Sequence, residues 1–167
     1  MHRSLITIDL GAIRHNVRTL RSRIDAAELW AVVKADGYGH GAADVGRVVL
    51  EEGATALCVA TVPEALELRA VLPEARIIVL GDTGSVDVAA ARQACLELGV
   101  STAHVPDGVS VHLKLDTGMG RWGLSECAAP GSGVVGVMSH FASADTDPDF
   151  TAVQLTRFLE ATASLAH

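Results

Sequence analysis

Glu28-Leu-Trp-Ala-Val-Val-Lys34-Ala-Asp-Gly-Tyr38-Gly-His-Gly41 runs a short apolar strand into one lysine and then into a turn with glycine at every second position. A lysine that closes an apolar strand is partly desolvated, and desolvation disfavours the charged form, so its amine is available to attack a carbonyl. Schiff-base chemistry is one reading of Lys34; a rim lysine whose stem snorkels along the surface is the other. Gly37, Gly39 and Gly41 allow close backbone approach to a ligand and can turn N–H groups toward an anion such as a phosphate. Their spacing is not the dinucleotide-binding fingerprint, and a tight loop without a ligand has the same glycines.

Outward from this stretch, strand-like runs alternate with helical spacing. Residues 5–8 read as a short strand, Leu10, Ile13, Val17, Leu20 and Ile24 as a helix face, residues 29–33 as a strand, and Val45, Val48 and Val49 as a second helix face. Residues 57–60 and 76–80 are further strands, with Thr61-x-x-Glu64 between them as a capping box. A helix is predicted over residues 85–95, strands over 109–115 and 134–139, and a last helix over 149–163. Residues 99–108 and 121–133, the second segment containing Pro130, read as loops rather than crossover helices.

Such alternation predicts an α/β fold with a parallel sheet and outer helices, and the pattern alone leaves barrel or open sheet undecided. A complete eight-stranded β/α barrel takes roughly 200 residues or more, and about six barrel-type strands are counted here. One domain is expected from 167 residues. The chain stops within a few residues of its last helix, the ending expected of a truncation, and an unclosed sheet would leave an edge strand open to association.

Hydrophobic residues make up 49% of the chain and charged residues 20%, the balance of a globular protein rather than a disordered one. No apolar run approaches the roughly 20 residues of a membrane span, and no signal-peptide pattern opens the chain, so no membrane and a cytoplasmic location are expected. Cys58, Cys95 and Cys127 are odd in number and far apart, which argues against a disulfide framework or a structural zinc site; reduced, mostly buried thiols are expected. The net charge of −7 disfavours nucleic acid. Arg14, Arg18 and Arg21 share a helix face that reads as solvated rather than as a basic patch.

In a β/α barrel the strand C-termini converge on one face, so Lys34, the turn from Asp116 to Arg121, and His140 would meet. His112, Lys114 and Asp116 alternate on one strand and so point to one face. A charged Lys114–Asp116 ladder is one reading of them; one His and one Asp make a poor metal site, so no metal is expected. Arg121 follows Gly118-Met-Gly120, where low backbone crowding lets a guanidinium reach a carboxylate. Tyr38 is a phenolic donor or a packed aromatic, and His140 a site residue or a satisfied core histidine.

Ala31-Val-Val-Lys34-Ala-Asp-Gly-Tyr38-Gly-His-Gly41 resembles the pyridoxal-phosphate attachment motif of bacterial alanine racemases. Lys114-Leu-Asp-Thr-Gly-Met-Gly-Arg121 and Met138-Ser-His140-Phe-Ala142 resemble two further signatures, in the family's order. The resemblance implies a TIM-barrel-like, incomplete parallel β/α barrel over residues 1–167, about the first two-thirds of the family's barrel domain, without its C-terminal β-domain. It implies pyridoxal 5'-phosphate as cofactor, carried on Lys34, which is also the base for one face of the substrate's α-carbon. It further implies that Tyr38 holds the cofactor phosphate, Arg121 contacts cofactor and substrate, and His140 lies against the cofactor ring. Lys114 matches a lysine that is carbamylated in some relatives and braces the arginine.

Alanine is the implied substrate, D-alanine for peptidoglycan the product, and a homodimer the assembly of the full-length family. The second acid/base group implied is a partner-subunit tyrosine from the region after the barrel. This chain has a single tyrosine, Tyr38, so weak or absent activity of the 167 residues alone is expected. A non-catalytic pyridoxal-phosphate-binding module is the alternative.

Overall fold

The computed structural model describes residues 4–81, 85–127 and 131–165. Pro130 of the second predicted loop and the residues at both extreme ends lie outside them. Contacts divide the chain into two compact units, Met1–Val79 and Leu80–His167.

The first unit begins with α1 (Leu10–Arg21), whose N-cap Asp9 accepts a hydrogen bond from the Ala12 N–H at 3.1 Å. Residues 5–8 precede it but form no strand: Leu5 and Ile6 are 85% and 82% exposed. Apolar alternation alone does not make a strand, because a strand's N–H and C=O groups must find a ladder partner. β1 (Trp30–Val32), β2 (Ala56–Val59) and β3 (Ile77–Val79) pair in parallel in that order, with Ala31 opposite Leu57 and Cys58 opposite Ile78.

Both β2 and β3 are buried throughout, and Leu57, Val59, Ile77 and Ile78 form the floor of the core. Outside them pack α3 (Ala42–Glu51) and α4 (Val62–Val71). The predicted capping box at the start of α4 is present in both directions. The arginine face of α1 is solvent-facing, with Arg18 and Arg21 exposed, and it is also ion-paired. Arg14 pairs with Glu51 and Glu52 of the α3 terminus at 2.6 and 3.0 Å, Arg18 with Glu52 at 2.6 Å, and Arg21 donates to the Gly53 carbonyl.

The second unit holds α5 (Ser85–Gln93), three parallel strands in sequential order, β4 (Glu97–Val100), β5 (Ser110–Leu115) and β6 (Val134–Ser139), and α6 (Pro148–Thr162). β4 occupies the start of a stretch read as loop, and its pairing with β5 puts Leu98 opposite Val111. Residues 101–109 then join two parallel strands without a helix, fewer residues than such a crossover usually takes. Arg92 of α5 pins this connection by donating to the Asp107 carbonyl. α6 is capped by Asp147, which accepts from the Phe150 N–H at 2.9 Å, and Pro148 occupies its first turn. Of the cysteines, only Cys58 is buried; Cys95 is exposed and Cys127 half-buried, contrary to the expectation for the group.

Candidate functional site

Lys34 stands at the C-terminal end of β1, half-buried, on the first residue of a short helical segment, α2 (Lys34–Gly39), whose hand is reversed. Ala35, Asp36, Gly37 and Tyr38 have φ of 50°, 53°, 62° and 56°, one turn of left-handed helix in which only one residue is glycine. L-residues usually visit this region singly, because Cβ crowds the following carbonyl. Gly37 is required on packing grounds too, since a Cβ there would meet the Ala42 backbone at 3.3 Å. The turn is closed by Gly37 N–H to Val33 C=O and Gly41 N–H to Asp36 C=O, both 2.8 Å, while the Asp36 carboxylate accepts from Ala42 N–H at 2.8 Å.

The reversed hand places the Tyr38 ring beside the lysine: Lys34 Nζ lies 5.8 Å from the ring centroid, within cation–π range. Tyr38 is 59% exposed, so it is not the packed aromatic of the alternative reading. Lys34 and Tyr38 therefore meet in the first unit. The other predicted residues, Lys114, Arg121 and His140, belong to the second.

On β5, His112 and Lys114 are buried, as are Val111, Leu113 and Leu115 around them, and Asp116 lies just past the strand end. Its carboxylate accepts from the Gly118 and Gly120 N–H groups, each at 3.0 Å. The Gly118 N–H, followed by those of Gly120, Met119 and Arg121, holds this carboxyl below the usual aspartate range against the opposing effect of burial. Asp116 is thus the organiser of the Arg121 turn rather than one rung of a charged ladder. His112 Nε2 lies 2.6 Å from Glu97 Oε2, with the imidazole packed so tightly against Gly136 that a Cβ there would come within 2.6 Å of Nδ1.

Burial, then the nearby Arg121 guanidinium, pushes Lys114 below the usual lysine range, and Asp116 partly opposes this. Trp122 lies against both cations, with Lys114 Nζ 5.7 Å and the Arg121 guanidinium 5.8 Å from its ring. It does so from a left-handed backbone, φ 35°. After the Trp122 kink the chain returns beside β5, Leu124 N–H donating to Lys114 C=O at 2.8 Å.

His140 follows β6 and is exposed, so it is not a core histidine. Its backbone is fixed by a residue the sequence reading passed over. Gln154 of α6 is fully buried; its Nε2 donates to the His140 carbonyl at 3.0 Å and to Thr117 Oγ1 at 3.3 Å, and its Oε1 accepts from Ala142 N–H at 2.8 Å. Thr117 Oγ1 and Ser139 Oγ lie 2.8 Å apart, Ser139 Oγ donates to Leu115 C=O, and Arg157 donates to Thr117 C=O. One amide side chain thereby joins the turn that carries Arg121 to the segment that carries His140. A cavity of about 410 Å³ lies beside this turn, bordered by Asp116, Thr117, Gly120, Ser125 and Arg157.

Residues 8–167 match the family described as alanine racemase, N-terminal domain. The chain is 40% identical to the alanine racemase of Desulforamulus reducens, covering 91% of this chain and 48% of that protein. It is 42% identical to that of Beutenbergia cavernae, covering 92% and 47%. Among solved structures it is similar to alanine racemase from Streptomyces coelicolor, with TM-score 0.81 and 40% identity over 94% of this chain and 49% of that one. The alanine racemase from E. faecalis gives TM-score 0.83 and 30% identity over 96% of this chain and 50% of that one. The chain spans about half the length of the curated relatives it matches. Its fold is the parallel, TIM-barrel-like β/α arrangement of these neighbours, and the chain belongs to the alanine racemase N-terminal domain family.

Proposed function

We propose that residues 1–167 are a partial barrel domain carrying the cofactor-binding half of a pyridoxal-phosphate-dependent alanine racemase, an enzyme that interconverts L- and D-alanine and supplies D-alanine for the cell wall. The observation that carries this reading is the placement of Lys34, a primary amine at a strand end, followed at once by a left-handed turn that brings a phenol over it. The donor set fits the cofactor: an amine for its aldehyde, a phenol for its phosphate, and a guanidinium for an anionic oxygen; the Gly37 and Gly41 N–H groups are spent on closing the turn. No helix among the described residues is long and apolar enough to cross a membrane, which accords with a cytoplasmic setting.

When bound, pyridoxal phosphate supplies an electron sink for the carbon from which a proton has left. Lys34 Nζ takes that proton from one face of alanine's α-carbon and returns one there. Tyr38 would donate a hydrogen bond to a phosphate oxygen, and Arg121 would pair its planar fork with an anionic oxygen of cofactor or substrate. His140 would, by the family resemblance, lie against the cofactor ring. Lys114, held buried beside Arg121, is the amine that braces the arginine in carbamylated form.

Inversion needs a second acid/base group on the opposite face, and Tyr38, the chain's single tyrosine, is already engaged beside Lys34. That group is supplied by the partner subunit of a homodimer. Lacking one positioned acid/base group typically lowers a rate by about 10² to 10⁴, the deficit assigned to these 167 residues assayed alone.

The test is borohydride reduction after incubation with pyridoxal phosphate, followed by peptide mass mapping beside a Lys34→Ala control. Selective labelling of Lys34 supports the assignment. Diffuse labelling of surface lysines, or none, overturns it.

A further inference from the structure

The left-handed turn after Lys34 is costly on its own terms, because the Cβ of each L-residue in that region crowds the following carbonyl. The turn's own hydrogen bonds engage Gly37, His40 and Gly41 but leave the N–H of Ala35, the residue that follows the lysine, to an outside acceptor. That acceptor is Glu64 of α4, whose Oε1 receives the Ala35 N–H at 2.8 Å. Its other oxygen, Oε2, receives Ala60 N–H at 2.8 Å and Thr61 N–H at 3.1 Å.

A capping box uses a single oxygen of its glutamate, to the N-cap N–H. Here Oε2 meets that requirement, and Oε1 is left to reach 29 residues back along the chain. A carboxylate is acceptor-only at both oxygens and can serve donors on two sides; the isosteric glutamine amide would turn N–H groups toward N–H groups on one of them. Burial pushes the Glu64 carboxyl up, yet the Ala35, Ala60 and Thr61 N–H groups together hold it below the usual glutamate range. A cavity of about 170 Å³ bordered by Val33, Asp36, Ala42, Glu64 and Leu68 leaves the turn little other support on that side.

We propose that Glu64 is a positioning residue for Lys34: by accepting the Ala35 N–H it holds the left-handed turn open and fixes the direction in which the lysine leaves β1. What Lys34 then does rests on the function proposed above; that Glu64 holds the turn does not. Glu64 couples the first turn of α4 to the reactive end of β1, so the capping box is also a strut of the site.

Three variants of the full chain test this. Glu64→Gln removes the charge and turns N–H groups toward the donors at one of the two oxygens; Glu64→Asp keeps the charge but shortens the reach; Thr61→Ala weakens the cap while leaving the Ala35 contact in place. Amide hydrogen exchange, measured without cofactor, should rise in residues 35–41 by roughly tenfold in both Glu64 variants, the loss of about one charge-assisted hydrogen bond. In Thr61→Ala the rise should stay within the first turn of α4. Equal exchange of residues 35–41 in Glu64→Gln, Glu64→Asp and the parent chain overturns the proposal.

The second readout is the rate of borohydride trapping of pyridoxal phosphate on Lys34. It should fall about tenfold in Glu64→Gln and be unchanged in Thr61→Ala, a difference that general destabilisation through the cap does not produce. A parent chain labelled at Lys34 with Glu64→Gln labelled at the same rate sinks the positioning role alone. A parent chain not labelled at Lys34 sinks the cofactor assignment, and the exchange pattern still decides for or against Glu64.

Discussion

At Ala35, whose φ is 50°, the methyl group opposes the native backbone. Glycine removes that opposition, although it loses more conformational freedom on folding, so Ala35→Gly should stabilise the first unit by about 0.5–1 kcal/mol. The same exchange at exposed Ala152 in α6 should do the reverse, destabilising by about 1 kcal/mol, because glycine in a right-handed helix only loses entropy. Urea midpoints for the two variants check the sign reversal; a loss of stability at both positions would refute the strain argument. At this scale the sequence showed which residues carry chemistry, since lysine at a strand end and arginine after two glycines are local signals. It did not show the hand of the turn, because Ala35, Asp36 and Tyr38 have no intrinsic preference for positive φ, and the long-range Glu64 contact helps hold them there. Asp116 was legible in part: it opens the turn to Arg121 as expected, but alternation also set it in line with His112 and Lys114, whereas its carboxylate is satisfied by the N–H groups of that turn.

Among the elements, α6 has the clearest mechanical role, for Gln154 is its one buried polar anchor and touches two site-bearing segments at once. Gln154→Leu is close to isosteric but leaves the Ala142 N–H and His140 C=O without their partner. Both groups are only part-buried and an unsatisfied polar group costs about 1–3 kcal/mol when fully buried, so a loss of about 1–2 kcal/mol is expected. It should appear as a lower urea midpoint at unchanged slope, and Gln154→Glu should recover part of it through the retained Oε1 acceptor. A midpoint within measurement error of the parent would show that the network is dispensable. Parallel strands, outer helices and the α4 cap were legible because each is written in local periodicity or a fixed-spacing pair. β4 was not, since Glu97-Leu-Gly-Val is short, contains Gly99 and runs straight into loop composition; its strand character comes from pairing with β5. Residues 5–8 show the converse, an alternating run with no ladder to join.

For the whole molecule, the carboxylates that matter are distributed over both units and displaced in the same direction. Glu28 is lowered chiefly by the Trp30 indole N–H, Glu52 by Arg18 and Arg14, Glu64 by backbone N–H groups against burial, and Asp116 by the Gly118 N–H and its neighbours. A carboxyl whose folded pKa lies below its unfolded one binds fewer protons when folded. Its stabilisation is therefore complete above the ordinary carboxylate range, roughly pH 5, and is lost as pH falls through the lower folded value. Lys114 has the opposite arithmetic: burial lowers its pKa, so the unfolded chain holds that proton more tightly, and stability rises as pH climbs from the folded value toward the ordinary lysine range. The two tryptophans of the sequence allow the units to be followed separately, Trp30 lying in the first and Trp122 in the second. Urea unfolding monitored by the remaining tryptophan in Trp30→Phe and Trp122→Phe chains should give midpoints that fall below about pH 4 in both. Only the Trp122 signal should gain stability as the pH climbs toward the ordinary lysine range, and Lys114→Met should abolish that gain while leaving the acid limb unchanged. An alkaline gain that persists without Lys114, or an acid limb confined to one tryptophan, would place the pH response on groups other than these five.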